Sequence, residues 1–188
     1  GATFSQIAFK DTVVLLGPNH TGRGALFSIM SHGTWKTPLG EVKIDELGEH
    51  ILRSSNYLEE DTAAHLYEHS LEVQVPFLQY FKEDVRIVPI VLAHAGGDIY
   101  KDIGKSIAKA IEDSKKEVVI VASSDMTHYE PHESAKRKDA QAIEAILDLN
   151  EDELLNRVEK LNITMCGYAP IVSLISAAKE LGAKKAEL

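Results

Sequence analysis

Only one cysteine, Cys166, occurs in this chain of 188 residues, so no internal disulfide can staple it. No secretory pattern opens it either, and the two absences together point to a reducing, cytoplasmic setting. No apolar run approaches the ~20 residues that a bilayer-spanning helix needs, so no contact with a membrane is expected. Basic residues are scarce: 20 Lys and Arg stand against 29 Asp and Glu, for a net charge of −9. Such a surface does not neutralise phosphates, which argues against nucleic acid as a partner. The segment GPNHTGRG is rich in glycine but lacks the Lys-Ser/Thr pair of a phosphate-binding loop, and nucleotide binding is set aside with it. Small molecules, metal ions and protein or peptide ligands remain.

The length suits one domain with a hydrophobic core of its own. Because the chain opens at Gly1 and stops at Leu188 directly after a helical pattern, residues 1–188 are expected to form a single α/β domain that is incomplete at both ends.

Strand and helix patterns alternate, with no repeat or low-complexity tract. Val13–Leu16 and Val118–Ala122 read as buried strands, and Val85–Leu92 as another in which Pro89 marks an edge or a bulge. Residues 22–39 lack periodicity and hold Gly22, Gly24, Gly33 and Pro38, which predicts a long loop with a short strand. Asp45 is placed to cap a helix carrying Leu47, Ile51 and Leu52. Ser70–Phe81 fits both a strand and a helix period. A helix capped by Ser70 is favoured, with Pro76 tolerable if it starts late or bends. Ile99, Ile103, Ile107 and Ile111 share one helical face, and Ala140, Ile143, Ile146 and Leu147 share another that runs to about Leu149. Asn150 with Glu153 opens a helix over 151–161, and a last helix over 170–181 stops at Gly182. This alternation predicts helices on both faces of a largely parallel or mixed sheet.

Chemistry-bearing side chains concentrate in four islands: GPNHTG (17–22), EHS (68–70), SSDMTHY (123–129) and TMCGYAP (164–170). Two of them directly follow predicted strands, where side chains converge on one crevice of an open α/β sheet. Asn19 and His20 would be aimed upward from the strand end, His20 either to ligate a metal or to tie down the loop. Glu68 and His69 precede a helix, whose positive end disfavours protonation of His69, so that it suits a ligand contact or simply the helix entry. Asp125 and His128, at i and i+3, face one side of a turn, where a carboxylate would hold the ring's tautomer for acid–base work or merely cap a helix. Cys166 is a small buried hydrophobe by default. Gly167 beside it and a following helix N-terminus also fit a thiolate able to ligate a metal. His32, His50, His65, His94 and His132 lack such context and are read as solvated or packing residues.

Taken in order, GPNHTG, TPLG (37–40), EHSLEVQVPFLQ (68–79), SSDMTHY and ITMCGY (163–168) resemble the Memo family, whose fold is similar to class III extradiol ring-cleaving dioxygenases. The resemblance implies a three-layer α/β/α sandwich with a central mostly parallel or mixed sheet and a pocket at its carboxyl edge. By motif match, His20 and Cys166 take metal-ligand positions and His69, Asp125 and His128 the other pocket positions, in catalytic roles; Asn19 and Glu68 border the ligand pocket. Iron is the implied metal of the full-length protein, with copper or zinc as alternatives, and a thiolate in place of the dioxygenase carboxylate changes both metal preference and redox behaviour. A further family histidine, in a Pro-His-Ala-Gly-Tyr segment, lies upstream of Gly1, so weak metal retention is expected. The resemblance leaves three functions open: a metal-dependent redox or oxygenase-like enzyme, a module that recognises a phosphorylated peptide or other anionic ligand, and a metallohydrolase. It also implies a radical-SAM protein as a pathway partner.

Overall fold

The computed structural model describes residues 2–188. In chain order the strands are β1 (Thr12–Pro18), β2 (Phe27–Ile29), β3 (Thr34–Thr37), β4 (Gly40–Lys43), β5 (Glu59–Glu60), β6 (Arg86–Leu92) and β7 (Val118–Ala122). The helices are α1 (Ala2–Ser5), α2 (Leu47–Ser54), α3 (His69–Glu72), α4 (Val75–Phe81), α5 (Gly97–Ser114), α6 (His132–Leu147), α7 (Glu151–Lys160) and α8 (Tyr168–Glu180). Strands order as β5-β2-β6-β1-β7, with β3 and β4 forming a separate hairpin. Both neighbours of β1 run parallel to it, while β2 is antiparallel to β6, so the sheet is mixed.

β1 is the axis of the molecule because apolar residues on both of its faces are fully covered. Val14 and Leu16 join Val88, Ile90 and the apolar faces of α2, α5 and α8 in one core. Val13 and Leu15 point the other way, with Ile87, Val91 and residues of α3, α4 and β4 in a second core. Helices therefore cover both faces, as the alternating pattern requires. At the carboxyl end, Leu16 is in register with Ile90 and with Ala122, so the loops leaving β1, β6 and β7 emerge side by side. No helix among the described residues is long and apolar enough to cross a membrane.

Four local expectations change. Residues 22–39 hold β2 and β3 as well as loop, and Thr37–Gly40 is the turn region of the β3–β4 hairpin. Ser70–Phe81 divides into α3 and α4, since Pro76 has no N–H for a continuous helix and fits only the first turn of a new one. Pro89 lies in a central strand, yet its carbonyl accepts from Met30 N–H (3.2 Å) just past the end of the β2 ladder, so its missing donor faces a gap in the pairing. β7 is half-buried instead of buried, because it is an edge strand of the sheet among the described residues. The Asn150 start holds, with its Oδ1 accepting from Glu153 N–H at 3.0 Å.

The contact between β1 and α3 depends on a glycine. A Cβ on Gly17 would stand 2.6 Å from Ser70 Oγ and 2.7 Å from Leu71 Cδ2, so only glycine lets α3 sit against the end of β1. Gly17→Ala is expected to destabilise the protein by about 1–3 kcal/mol in urea denaturation, as overpacking does. Gly96→Ala, where a Cβ meets nothing within 4 Å, should change little and serves as the control.

His65 gives a pH dependence. Ser28 Oγ donates to Asp61 O (2.7 Å), so His65 Nε2–H donates to Ser28 Oγ (3.0 Å) and the buried Nδ1 lone pair has no partner. Burial lowers its pKa to about 4. The unfolded chain, with histidine near 6.5, binds the proton that the folded state refuses, so this contribution is complete above pH ~6.5 and is lost as pH falls towards 4, by about 3 kcal/mol at most. Urea unfolding at pH 7.5 and pH 4.5 should show the loss, and His65→Leu should flatten that interval.

Candidate functional site

The loop after β1 is folded by Asn19. Its Oδ1 accepts from Gly22 N–H (2.9 Å) and Thr21 hydroxyl (3.2 Å), and its Nδ2 donates to Arg23 O (3.1 Å). Its amide thus holds the loop that presents His20.

His20 is fixed by a buried carboxylate. Its backbone N–H donates to Glu68 Oε2 (2.7 Å), and its ring Nδ1 lies 2.9 Å from Glu68 Oε1. Oε1 also accepts from Ser70 N–H at 3.0 Å, which makes Glu68, and not Ser70, the cap of α3. Burial pushes this carboxyl's pKa up, but hydrogen bonds from His20 and Ser70 outweigh it and hold the group below the usual range. An ionised Glu68 can only accept, so His20 Nδ1 carries the proton and Nε2 is left as a free lone pair. His69 stacks on His20 with centroids 4.9 Å apart and rings 18° from parallel, its Nδ1 3.8 Å from Glu68 Oε1. One ligand atom from each of His20, Glu68 and His69 falls within 4.8 Å of the others.

The loop after β7 forms a second cluster. Ser123 Oγ donates to Ser70 O (3.0 Å) and accepts from Gln74 Nε2 (3.0 Å), which ties this loop to α3 and the first cluster. Gly167 N–H donates to Ser124 Oγ (2.9 Å), an approach so close that a Cβ on Gly167 would meet Ser123 O at 2.3 Å. Asp125 N–H donates to Cys166 Sγ (3.2 Å), and Cys166 N–H donates to Asp125 O (3.3 Å). The expected Asp125–His128 pairing takes another form. His128 Nδ1 donates to Thr164 O at 2.7 Å, so it is a backbone carbonyl that sets the tautomer. Its Nε2 lies 3.8 Å from Asp125 Oδ2, beyond hydrogen-bond reach, and that carboxylate is exposed. His128 therefore keeps a lone pair free to take a proton.

Between these clusters and α7 opens a cleft of about 960 Å³. Asn19, His20 and Cys166 line it, whereas Glu68, His69, Asp125 and His128 do not. The carboxyl end of the sheet thus brings His20 and Cys166 to one cavity and sets the other predicted residues around them as two flanking groups. Two residues that sequence reasoning left without a role also line it: His94, two positions past β6, and Tyr168, two past Cys166. Tyr168 Oη is 2.5 Å from His94 Nδ1. Burial, with Tyr100 beside it, pushes the Tyr168 phenol well above its ordinary pKa, so it stays protonated. The signal that singles out His20, a histidine directly after a strand, applies equally to His94.

Comparison with known proteins fits this arrangement. A likeness to the crystal structure of the uncharacterized protein JW3007 from Escherichia coli K12 shows the fold: TM-score 0.62 and 16% identity, covering 94% of this chain and 79% of that one. A MEMO1 family protein from Sulfolobus acidocaldarius is 46% identical over 176 residues, and one from Sulfurisphaera tokodaii is 48% identical over 177. Each alignment covers 93% of this chain and 62% of the relative, so the chain spans under two thirds of the length of these relatives. The model of the Memo-like protein family matches residues 1–188, and with these relatives it establishes that the chain belongs to that family.

Proposed function

We propose that this chain contributes a divalent-metal site to a metal-dependent, redox or oxygenase-like reaction on a small organic molecule in the cleft. The observation that carries the proposal is the ionised, buried Glu68 holding His20 by its Nδ1, which leaves Nε2 free on a residue that lines the same cavity as Cys166. A carboxylate behind a histidine is the outer-sphere arrangement that orients ligating imidazoles. Glu68 has both oxygens engaged by protein donors, so His20 and His69 are the nitrogen ligands and Glu68 their support. Ligand atoms of His20, Glu68 and His69 lie within 4.8 Å of one another, against the roughly 3.3 Å between two tetrahedral zinc ligands each about 2 Å from the ion.

Imidazole donors fit a borderline ion, and a thiolate from Cys166, which lines the cavity with His20 but lies outside the His20–Glu68–His69 group, would select zinc, copper or iron over magnesium or calcium. Such an ion supplies Lewis acidity and, for iron or copper, electron transfer. The residues supply the rest. Glu68 keeps His20 in one tautomer, while His128, which flanks the cleft without lining it, is oriented by Thr164 O. The alternative of a phosphorylated ligand is weaker, because Glu68 and Asp125 place negative charge beside the imidazoles an anion would need.

Titration calorimetry with Zn²⁺ should show one exchangeable ion that a chelator strips. His20→Ala should abolish the heat, and Glu68→Gln should weaken binding about 10–100-fold while circular dichroism stays native. Affinity unchanged in both variants would contradict the site. A phosphotyrosine peptide should give no heat, and saturable heat would favour recognition over metal chemistry.

A further inference from the structure

The two clusters beside the cleft are joined through one hydroxyl. Ser123 Oγ donates to Ser70 O (3.0 Å) and accepts from Gln74 Nε2 (3.0 Å), and among the described residues no other hydrogen bond links 68–81 to 123–131. The carbonyl it meets is one that the short helix α3 leaves open. Gln74 N–H, which would close an α-helical turn onto Ser70 O, donates to Leu71 O instead (3.0 Å). Ser70 is buried, and a buried carbonyl needs a donor, so the hydroxyl of Ser123 fills a place the backbone cannot.

Ser123 stands midway along a continuous path from His20 to Cys166. On one side, Glu68 accepts from His20 N–H (2.7 Å) and from Ser70 N–H (3.0 Å), which ties Ser70 to His20. On the other, the two residues after Ser123 hold the loop of Cys166: Ser124 Oγ accepts from Gly167 N–H (2.9 Å), and Asp125 N–H donates to Cys166 Sγ (3.2 Å). The backbone of Ser123 is placed independently, its N–H donating to Leu16 O (2.8 Å) at the end of β1. The hydroxyl therefore links the two halves without being needed to place its own strand.

We propose that Ser123 is a positioning residue of the metal site: through its hydroxyl it sets the place of the Cys166 thiol relative to the His20 imidazole, and so admits sulfur to the ligand set. Cys166 lies outside the His20–Glu68–His69 group yet lines the same cleft as His20, so whatever fixes their separation decides whether one ion meets both. Ligand constellations work only when held to within about 0.5 Å. The inference rests on the proposed function and adds the residue that decides between nitrogen-only and nitrogen–sulfur ligation, and with it which metal is preferred. Loss of the hydroxyl strands Ser70 O and Gln74 Nε2 together, while α3 stays docked by the buried Leu71 and β7 stays paired with β1.

Co²⁺ is the probe, because a thiolate on cobalt gives a near-ultraviolet charge-transfer band that imidazole ligands do not. In the unaltered chain the band should grow with bound Co²⁺ and vanish in Cys166→Ser and in His20→Ala. Ser123→Ala should bind Co²⁺ about tenfold more weakly and lose most of the band, and Ser123→Thr, which keeps the hydroxyl, should restore both. Gln74→Met removes only the donor to Ser123 Oγ; it should fall between the two and carries the test if Ser123→Ala does not fold. With EDTA in place of metal, hydrogen exchange of the Asp125 and Cys166 amides should be about 2–10-fold faster in Ser123→Ala, the worth of one hydrogen bond, with the amides of β1 unchanged. A chain that binds Co²⁺ without the band, a band of full intensity in Ser123→Ala, or unchanged exchange at Cys166 would each overturn the proposal. If no Co²⁺ binds at all, the proposed function fails, and the exchange rates in EDTA still separate a positioning Ser123 from a passive one.

Discussion

A buried carboxylate that must be satisfied organises the functional end of this protein. Glu68 is removed from water, and an ionised group there is tolerated only when its oxygens are fully hydrogen-bonded. Its donors come from two distant places, the backbone and ring of His20 in the loop after β1 and the backbone of Ser70 at the start of α3. One requirement therefore closes the loop onto the helix, selects the imidazole tautomer and stacks His69 against His20. Gly17 makes the arrangement sterically possible, because α3 lies where any larger side chain would stand.

The second constraint is the burial of β1 on both faces. A strand whose alternate residues enter two cores cannot slip by one position without exchanging them, so its register with β6 and β7 is fixed. That register decides which loops meet. His20 follows β1, His94 follows β6 and Ser123 follows β7, while Cys166 in the loop before α8 and Tyr168 at the start of α8 join the same end of the sheet. The cleft is a consequence of parallel strands ending together.

Much of this was legible in the chain, and the rest was hidden for identifiable reasons. β7 and α5 were read from runs and periodicity, since both reflect local preference reinforced by packing. The β3–β4 hairpin escaped because its residues are mostly exposed or half-buried and carry no apolar alternation. Pro89 misled because the usual rule assumes that a central strand is paired along its whole length, and β2 stops short of it. At the site, the i, i+3 spacing of Asp125 and His128 put them on one side of a turn, but a carbonyl from Thr164 competes successfully for the ring.

The sequence by itself determined the family, the α/β alternation and the islands at strand ends, because these depend on residue type, order and spacing. Only the tertiary structure decided that Glu68 supports His20, that Thr164 orients His128 and that His94 and Tyr168 form a pair. Each of those contacts joins residues more than thirty positions apart. Hydrogen-bond partners are chosen by where the packed strands bring the chain, and no spacing along a single sequence encodes that distance.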